Sequence, residues 1–141
     1  MNDCTFCQII KEQISAFTVF ENSDSIAFLD KRPLFPGHVL LIPKTHISIL
    51  AEMPDEKIGP FFRTVRNLSV AVEKAMNAQG SFVAINNRVS QSVPHLHVHI
   101  VPRNRGDGLR GFFWPRKKYK DKAEMIEVAD RIKKAINSNE A

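Results

Sequence analysis

Residues 95–101 read His95-Leu96-His97-Val98-His99-Ile100-Val101, so imidazoles alternate with aliphatic side chains. Alternate residues of a β-strand point to the same face, roughly 6.5–7 Å apart, and the pattern predicts a strand carrying three histidines in one row. One histidine on a strand is usually an ordinary polar residue, but three imidazoles without partners would cost desolvation free energy. Two chemistries use such a row: a metal site, and a phosphate site in which imidazoles serve as nucleophile and hydrogen-bond donors.

The segments around this row predict four more strands and two helices. Short apolar runs bounded by turn residues indicate strands at 19–20, 25–29, 38–42 and 81–85. Residues 55–77 repeat apolar side chains every three or four positions, as an amphipathic helix does. A last helix is predicted over about 121–137, with a buried face made of Met125, Val128, Ala129, Ile132 and Ile136. The order β-β-β-α-β-β-α has consecutive strands without helices between them, which predicts an antiparallel sheet in an α+β fold.

Length and composition indicate one small domain. The chain has 141 residues, of which 43% are hydrophobic, enough for one core and too little for two. We therefore expect a single domain over 1–141. No apolar run approaches the ~20 residues that span a bilayer, and the N-terminus does not resemble a secretory signal. These features predict a cytoplasmic protein without a membrane partner.

Positive charge is concentrated near the C-terminus. Residues 103–122 carry eight Lys and Arg against two Asp, whereas the net charge of the whole chain is +5. Glycines and a proline within this segment predict an irregular basic and aromatic loop over about 104–120. The loop either steers an anionic ligand or is simply solvated. Its Trp114 either contacts substrate or packs, with Phe112 and Phe113, in the core or a dimer interface.

Cys4 and Cys7 form a Cys-x-x-Cys pair and are the two cysteines of the chain. In a reducing compartment such a pair indicates metal or redox chemistry rather than a structural disulfide. A tetrahedral zinc site needs four ligands, so histidine or carboxylate side chains would supply the other two. Two inert thiols are the competing interpretation, and a redox pair is disfavoured because no βαβ context surrounds the motif.

The histidine row and several upstream segments together resemble the histidine-triad nucleotide hydrolases and transferases. Residues 95–101 fit the family's His-φ-His-φ-His-φ-φ signature, in which φ is an apolar residue. The other matching segments are Cys4 to Ile10, Ala27 to Asp30, Pro36 to His38, Leu41 to His46 and Gln91 to Val93. The resemblance implies an α+β fold with a five-stranded antiparallel sheet and two main helices, joined into a continuous sheet across a homodimer. The N-terminal CxxC is typical of bacterial or archaeal members.

The resemblance also implies roles for individual residues. His97 is expected to be the nucleophile of a covalent nucleotidyl intermediate, while the backbone carbonyl of His95 holds its other ring nitrogen. The expected nucleotide and phosphate contacts are Asp30, Asn86 or its neighbour Asn87, Gln91, Ser92 and His99, with His38 packed behind the row. A structural zinc ion would be held by Cys4, Cys7, His46 and His95, which orients the strand that presents the nucleophile.

The implied activity is release of a nucleoside monophosphate, with AMP expected, from a phosphoramidate or a dinucleoside polyphosphate. The alternative is a nucleotide- or zinc-binding regulatory protein with incidental turnover. Interleaved aromatic and basic residues also suit single-stranded nucleic acid, but the branch of the family that acts on nucleic-acid ends has a zinc-finger module that this chain lacks. One departure concerns Ser90, which stands where the family commonly has glycine, in a loop about two residues shorter.

Overall fold

The computed structural model describes residues 3–110 and 116–140, with the side chains of 137–140 left out. Its strands are β1 (Thr18–Glu21), β2 (Ser25–Leu29), β3 (Val39–Pro43), β4 (Gly80–Ile85) and β5 (Val98–Arg103). Its helices are α1 (Thr5–Ile10), α2 (Asp55–Ala75) and α3 (Lys122–Glu140), and a short 3-10 turn covers Leu50–Glu52. Among the described helices, none has the length and apolar character needed to cross a bilayer.

The five described strands form one antiparallel sheet in the order β1-β2-β3-β5-β4. This confirms the predicted fold class. Strand β3 lies at the centre, and all five of its residues are buried. An entirely buried strand needs both faces of the sheet to be covered. The nearly continuous apolar run predicted at 38–42 reflects this central position.

Helix α2 covers one face of the sheet. It begins after Pro54 with Asp55 and Glu56, two carboxylates that interact favourably with the positive end of the helix dipole. Its buried side chains pack on the inward residues of the neighbouring strands, and the cluster includes Phe61, Val65, Leu68, Val72, Val39, Leu41, Leu96, Val98 and Ile100. The predicted amphipathic helix is therefore present, although Ile58 and Met76 at its two ends are exposed.

Helix α1 contributes to the apolar layer on the opposite face. Phe6 and Ile9 pack with Ile26, Phe28, Leu40 and Ile42, the alternate residues of β2 and β3. The sequence analysis did not predict this helix, because its six residues are too few to show a helical repeat. As a result, the CxxC pair lies at the start of a helix: Cys4 is its N-cap, and Cys7 lies in its first turn.

The predicted strand at 95–101 begins later than expected. Strand β5 starts at Val98, so His99 lies within it whereas His95 and His97 lie in the segment leading into it. The pairing of β5 with β3 stops at Val98, which lies opposite Leu41, and the amide of Leu96 donates to the carbonyl of Ile47 instead of extending the ladder. The alternation nevertheless persists, since Leu96, Val98 and Ile100 are fully buried in the layer beneath α2.

The C-terminal residues form a separate compact unit. Residues 3–107 make up one unit and 108–140 the other, and within the second unit residues 116–121 precede α3. The predicted buried face of this helix was wrong for Met125, Ile132 and Ile136, whose side chains are 52%, 56% and 50% exposed. It was also wrong for Ala129, which is exposed, whereas Val128 is half-buried. A helix buries an apolar stripe only against a second element, and no strand lies among the described residues of this unit. Phe112, Phe113 and Trp114 lie outside the described residues.

Candidate active site and metal cluster

The ring of His97 is held in one tautomer by the backbone. Its Nδ1 lies 2.8 Å from the carbonyl oxygen of His95, and because a carbonyl can only accept, Nδ1 carries the proton and donates it. The other nitrogen, Nε2, is therefore left with its lone pair. The sequence analysis expected this arrangement, and the two residues lie close enough in the chain for the bond to be local.

The Nε2 atoms of His97 and His99 open into a cleft of about 220 Å³, here called the histidine cleft. Among the described residues neither nitrogen has a hydrogen-bond partner, and no buried side-chain nitrogen or oxygen lacks one, so both atoms reach the surface of the cleft. The rings of the two histidines contact each other, with centroids 5.0 Å apart. The described lining residues are Thr5, Phe6, Ile9, Ile14, Ala16, Phe28, Leu29, Asp30, Lys31, Leu40, Ser92, Val93, His97 and His99.

The histidine cleft has an apolar end and a polar end. Phe6, Phe28 and Leu40 provide aromatic and aliphatic walls, whereas Asp30, Ser92 and the two histidines provide polar groups. Phe6 packs with its edge against the rings of both His95 and His97, at centroid distances of 5.9 and 5.1 Å. The sequence analysis missed Phe6 as a site residue, although its place inside the CxxC motif was a signal that could have found it.

Cys4, Cys7, His46 and His95 come together as expected, with potential ligand atoms within 4.8 Å of one another. The Nδ1 atom of His95 lies 3.5 Å from Sγ of Cys4 and 3.6 Å from Sγ of Cys7. The Nδ1 atom of His46 lies 3.2 Å from Sγ of Cys7. Two thiols and two imidazoles are donor types that structural zinc sites use.

The protonation of His95 suits a metal ligand. Its Nε2 donates to the carbonyl oxygen of Pro43 at 2.8 Å, so Nδ1 keeps its lone pair on the side of the thiols. Burial lowers the pKa of His95, which keeps the ring neutral. Burial and the hydrogen bond with Cys4 raise the pKa of the Cys7 thiol, so the thiolate form is disfavoured. A cation among the four ligands would stabilise the thiolate and reverse this effect. The arrangement of these groups can therefore hold a metal ion.

A second cluster consists of Asp30, His38 and His99. The Nε2 atom of His38 lies 3.0 Å from Nδ1 of His99 and 3.6 Å from Oδ2 of Asp30. The backbone amide of Leu34 donates to Nδ1 of His38 at 3.1 Å. His38 is 3% exposed and begins the approach to β3 from Gly37, whose φ of +95° lies in the left-handed region that favours glycine.

The loop before the histidine row holds the remaining predicted contacts. Ser92 lines the histidine cleft, but Asn86 and Gln91 are not among its described lining residues. The Gln91 side chain instead bridges two loops: its amide donates to the carbonyl of Ser48, and its oxygen accepts from the amide of Arg88. Asn86 donates to the carbonyl of Ser90, and the side-chain oxygen of Asn87 accepts from the amide of Leu50.

Comparison with known proteins gives consistent matches. The family model described as HIT domain matches residues 11–106. Protein hit of Bacillus subtilis is 35% identical, with 97% of each chain covered. The adenosine 5'-monophosphoramidase HNT1 of Candida albicans is 35% identical over 79% of this chain and 78% of its own. The asymmetrical bis(5'-nucleosyl)-tetraphosphatase of Schizosaccharomyces pombe is 38% identical over 59% of this chain and 47% of its own.

Solved structures extend the likeness over nearly the whole chain. The structure of SMU.412c from Streptococcus mutans has a TM-score of 0.87 and 34% identity, covering 96% of this chain and 87% of that one. A zinc-bound histidine triad family protein from Mycobacterium smegmatis has a TM-score of 0.72 and 29% identity, covering 95% and 98%.

Proposed function

This chain belongs to the histidine-triad (HIT) family, and on that premise we propose that it is a nucleotidyl hydrolase. It releases a nucleoside monophosphate, AMP in the first instance, from a phosphoramidate or a dinucleoside polyphosphate. The observation that carries the proposal is the tautomer of His97: its Nδ1–H is held by a carbonyl, and its Nε2 lone pair is open to the histidine cleft. The names of relatives that hydrolyse such nucleotides support the same reaction class.

The reaction proceeds in two displacements at the α-phosphorus. The Nε2 lone pair of His97 forms a bond to phosphorus, and the bond from phosphorus to the leaving group breaks, with its electron pair leaving on the amine or polyphosphate. Water then attacks phosphorus, and the nitrogen–phosphorus bond breaks, returning the pair to Nε2. In sum the water supplies a hydroxyl to the phosphate and a proton to the leaving group. The hydrogen bond from Nδ1 to the carbonyl of His95 stabilises the positive charge that the ring acquires.

Substrate orientation follows from the two ends of the histidine cleft. The nucleobase lies among Phe6, Phe28 and Leu40, where planar apolar surface is available. Asp30 accepts hydrogen bonds from the ribose hydroxyls, and Ser92 and His99 donate to the phosphate oxygens. The predicted contacts from Asn86 and Gln91 stay predictions, since the described bonds of both side chains are to the loops around the cleft.

We also propose that the cysteine–histidine cluster is a zinc site. Cys4, Cys7, His46 and His95 fit the ion by number, by type and by the direction of the His95 lone pair. When bound, zinc would supply a structural cross-link between α1 and the segment that presents His97. The zinc-bound relative supports the choice of metal.

A homodimer completes the proposal. Strand β4 is an edge of the sheet, so it presents backbone groups that a second strand can pair with, and its Val83 side chain is 43% exposed. Light scattering coupled to size exclusion measures the mass directly. A monomer at micromolar concentration would contradict this part of the proposal.

The decisive experiment replaces the nucleophile. We expect His97→Ala to lower kcat/KM for adenosine 5'-phosphoramidate and diadenosine tetraphosphate by about 10³-fold or more, because the variant lacks the ring nitrogen that accepts the nucleotidyl unit in the proposed mechanism. Binding of AMP, measured by calorimetry, should remain close to that of the wild type. Val89→Ala, at a side chain that is 80% exposed, serves as a control and should leave turnover unchanged.

Two results would overturn the proposal. Turnover retained by His97→Ala would show that another group is the nucleophile. Tight nucleotide binding by the wild type without turnover on either substrate would instead support the alternative, a nucleotide- or zinc-binding regulatory protein. Acid-quenched wild-type reactions analysed by mass spectrometry add a direct readout, because the covalent intermediate increases the mass of the chain by one nucleotidyl group.

A further inference from the structure

The two histidine clusters differ in what their rings present to the centre of each cluster. In the cysteine–histidine cluster, His95 turns the lone pair of Nδ1 toward the thiols because its proton lies on Nε2 and is donated to the carbonyl of Pro43. The cluster of Asp30, His38 and His99 also places potential ligand atoms within 4.8 Å of one another. Similar spacing therefore does not by itself distinguish a metal site from a hydrogen-bonded site, whereas the positions of the ring protons do.

The proton of His38 is fixed by a backbone amide. The N–H of Leu34 points at Nδ1 of His38 over 3.1 Å, and an amide can only donate. Nδ1 must then be the unprotonated nitrogen, since two donors facing each other would repel. The neutral ring therefore carries its proton on Nε2.

This proton in turn fixes the tautomer of His99. Nε2–H of His38 lies 3.0 Å from Nδ1 of His99, which must accept the bond and is therefore unprotonated. The neutral His99 ring consequently carries its own proton on Nε2, the atom that opens into the histidine cleft. The hydrogen bonds therefore run in one direction. The amide of Leu34 donates to His38, His38 donates to His99, and the N–H of His99 points into the cleft.

We infer that the Leu34 amide and His38 act as a tautomer relay, which fixes His99 as a hydrogen-bond donor toward the cleft and leaves neither imidazole of this cluster with a free lone pair for a metal. His38 and the Leu34 amide are positioning groups, because they act through His99. That the acceptor in the cleft is a substrate phosphate rests on the proposed function. The tautomers themselves do not depend on it.

Burial and charge support the same arrangement. Burial lowers the pKa of both His38 and His99, against the opposing charge of Asp30, so each ring holds a single proton. A metal bound at Nε2 of His38 would require either an imidazolate or loss of the Leu34 bond. Asp30 is also engaged, since its Oδ1 accepts from the amide of Arg32. The cluster is therefore built to position protons.

The test reads the tautomers directly. In protein labelled with ¹⁵N-histidine and loaded with zinc, long-range proton–nitrogen spectra distinguish a ring protonated on Nδ1 from one protonated on Nε2. We expect Nε2–H for His38 and His99 but Nδ1–H for His97. A wild-type His99 protonated on Nδ1 would overturn the inference, and so would two metal ions per chain in elemental analysis, where one is expected.

Variants of the relay provide a matched comparison. Leu34→Pro removes the donating N–H, whereas Leu34→Ala keeps it and trims a side chain that is 51% exposed. We expect mixed tautomers at His38 and His99 in Leu34→Pro and unchanged tautomers in Leu34→Ala. Pure Nε2–H in both variants would contradict the relay. The wild-type spectra decide the question if Leu34→Pro does not fold.

Substitution of His38 itself links the relay to turnover. His38→Glu replaces a donor with an acceptor and should move the His99 proton to Nδ1, whereas His38→Gln keeps a donating amide. We expect kcat/KM to fall by about 10- to 100-fold in His38→Glu and less in His38→Gln. Equal losses in both would overturn the proposed direction of the bond. Because the spectra need no substrate, they can confirm the tautomers even if the enzyme proposal fails. Likewise, the turnover measurements can confirm the enzyme proposal even if the tautomers differ from those expected.

Discussion

At the scale of single residues, each imidazole of the site is controlled by the backbone group that it meets. The carbonyl of His95 takes the Nδ1 proton of His97, and the carbonyl of Pro43 takes the Nε2 proton of His95. The amide of Leu34 does the opposite at His38, where it donates to the ring. One residue type can thus fill the proposed roles of nucleophile, metal ligand and donor relay within a single small region.

The half-buried position of His99 should make stability depend on pH. Burial, followed by the charges of His97 and His38, lowers the pKa of His99 from 6.5 to about 4. Between these values the unfolded chain binds the proton and the folded chain does not, so the free energy of unfolding should fall as the pH is lowered from about 6.5 to 4. The loss is on the order of 2 kcal/mol, measured by urea denaturation.

The control for this pH dependence is His99→Gln, with both proteins freed of metal so that zinc release at low pH does not contribute. The variant should lose less stability over the same interval. Parallel curves for the two proteins would show that His99 is not the titrating group.

Ser90 offers a second prediction at the residue scale. Its φ of 60° lies in the left-handed region, in which glycine is less strained than serine. Ser90→Gly should therefore raise the free energy of unfolding by about 0.5 kcal/mol. Ser69→Gly, the same substitution inside α2, should lower it by roughly as much because glycine is a poor helix former. A loss at both positions would contradict the strain at Ser90.

At the scale of elements, the sheet presents alternate residues to two different layers. Leu40 and Ile42 of β3 face the layer that contains α1, whereas Val39 and Leu41 face α2. A single strand therefore connects the helix that carries the cysteines to the helix that forms most of the opposite core. The histidine row lies on the α1 side of the sheet, whereas the aliphatic residues between the histidines pack in the layer beneath α2.

Packing of α2 on the sheet determines how much stability is lost when one of its buried side chains is shortened. Leu68 is 8% exposed and lies in the core cluster, so Leu68→Ala should cost about 3 kcal/mol in the free energy of unfolding. Val70→Ala, two residues away at a side chain that is 58% exposed, should change it by less than about 0.5 kcal/mol. Similar values for the two variants in denaturant titrations would disprove this packing arrangement.

At the scale of the whole molecule, the cysteine–histidine cluster joins distant parts of the chain. Cys7 and His46 are 39 residues apart, and Cys4 and His95 are 91 apart, yet their side chains meet. A metal that binds the folded chain and not the unfolded one stabilises the folded state by mass action. The ion would therefore stabilise the fold and also fix the segment that carries His97.

Removal of zinc should lower the melting temperature. At a free concentration 100 times Kd, a ligand stabilises by about 2.7 kcal/mol, so chelation should lower Tm by roughly 5–10 °C in scanning calorimetry. Cys7→Ser should already have the lower Tm and should respond little to the chelator. An equal chelator effect on both proteins would place the stabilising metal elsewhere.

Local sequence patterns determined much of this protein. The apolar periods of β2, β3 and α2, the one-sided histidine row and the CxxC motif all involve residues a few positions apart, where side-chain direction follows from strand or helix geometry. Family resemblance then identified the four members of the cysteine–histidine cluster, and the structure brings them together.

Only the tertiary structure decided the remaining features. The start of β5 depends on where its pairing with β3 stops, and the exposure of Met125 in α3 depends on what its own unit offers to cover it. The tautomers of the histidines depend on the amide of Leu34 and the carbonyl of Pro43. Every residue except proline has the same backbone N–H, and every residue has the same carbonyl, so a sequence pattern cannot show which of them will meet a distant ring. The three histidines share a face by local geometry, but the folded chain sets the position of each proton.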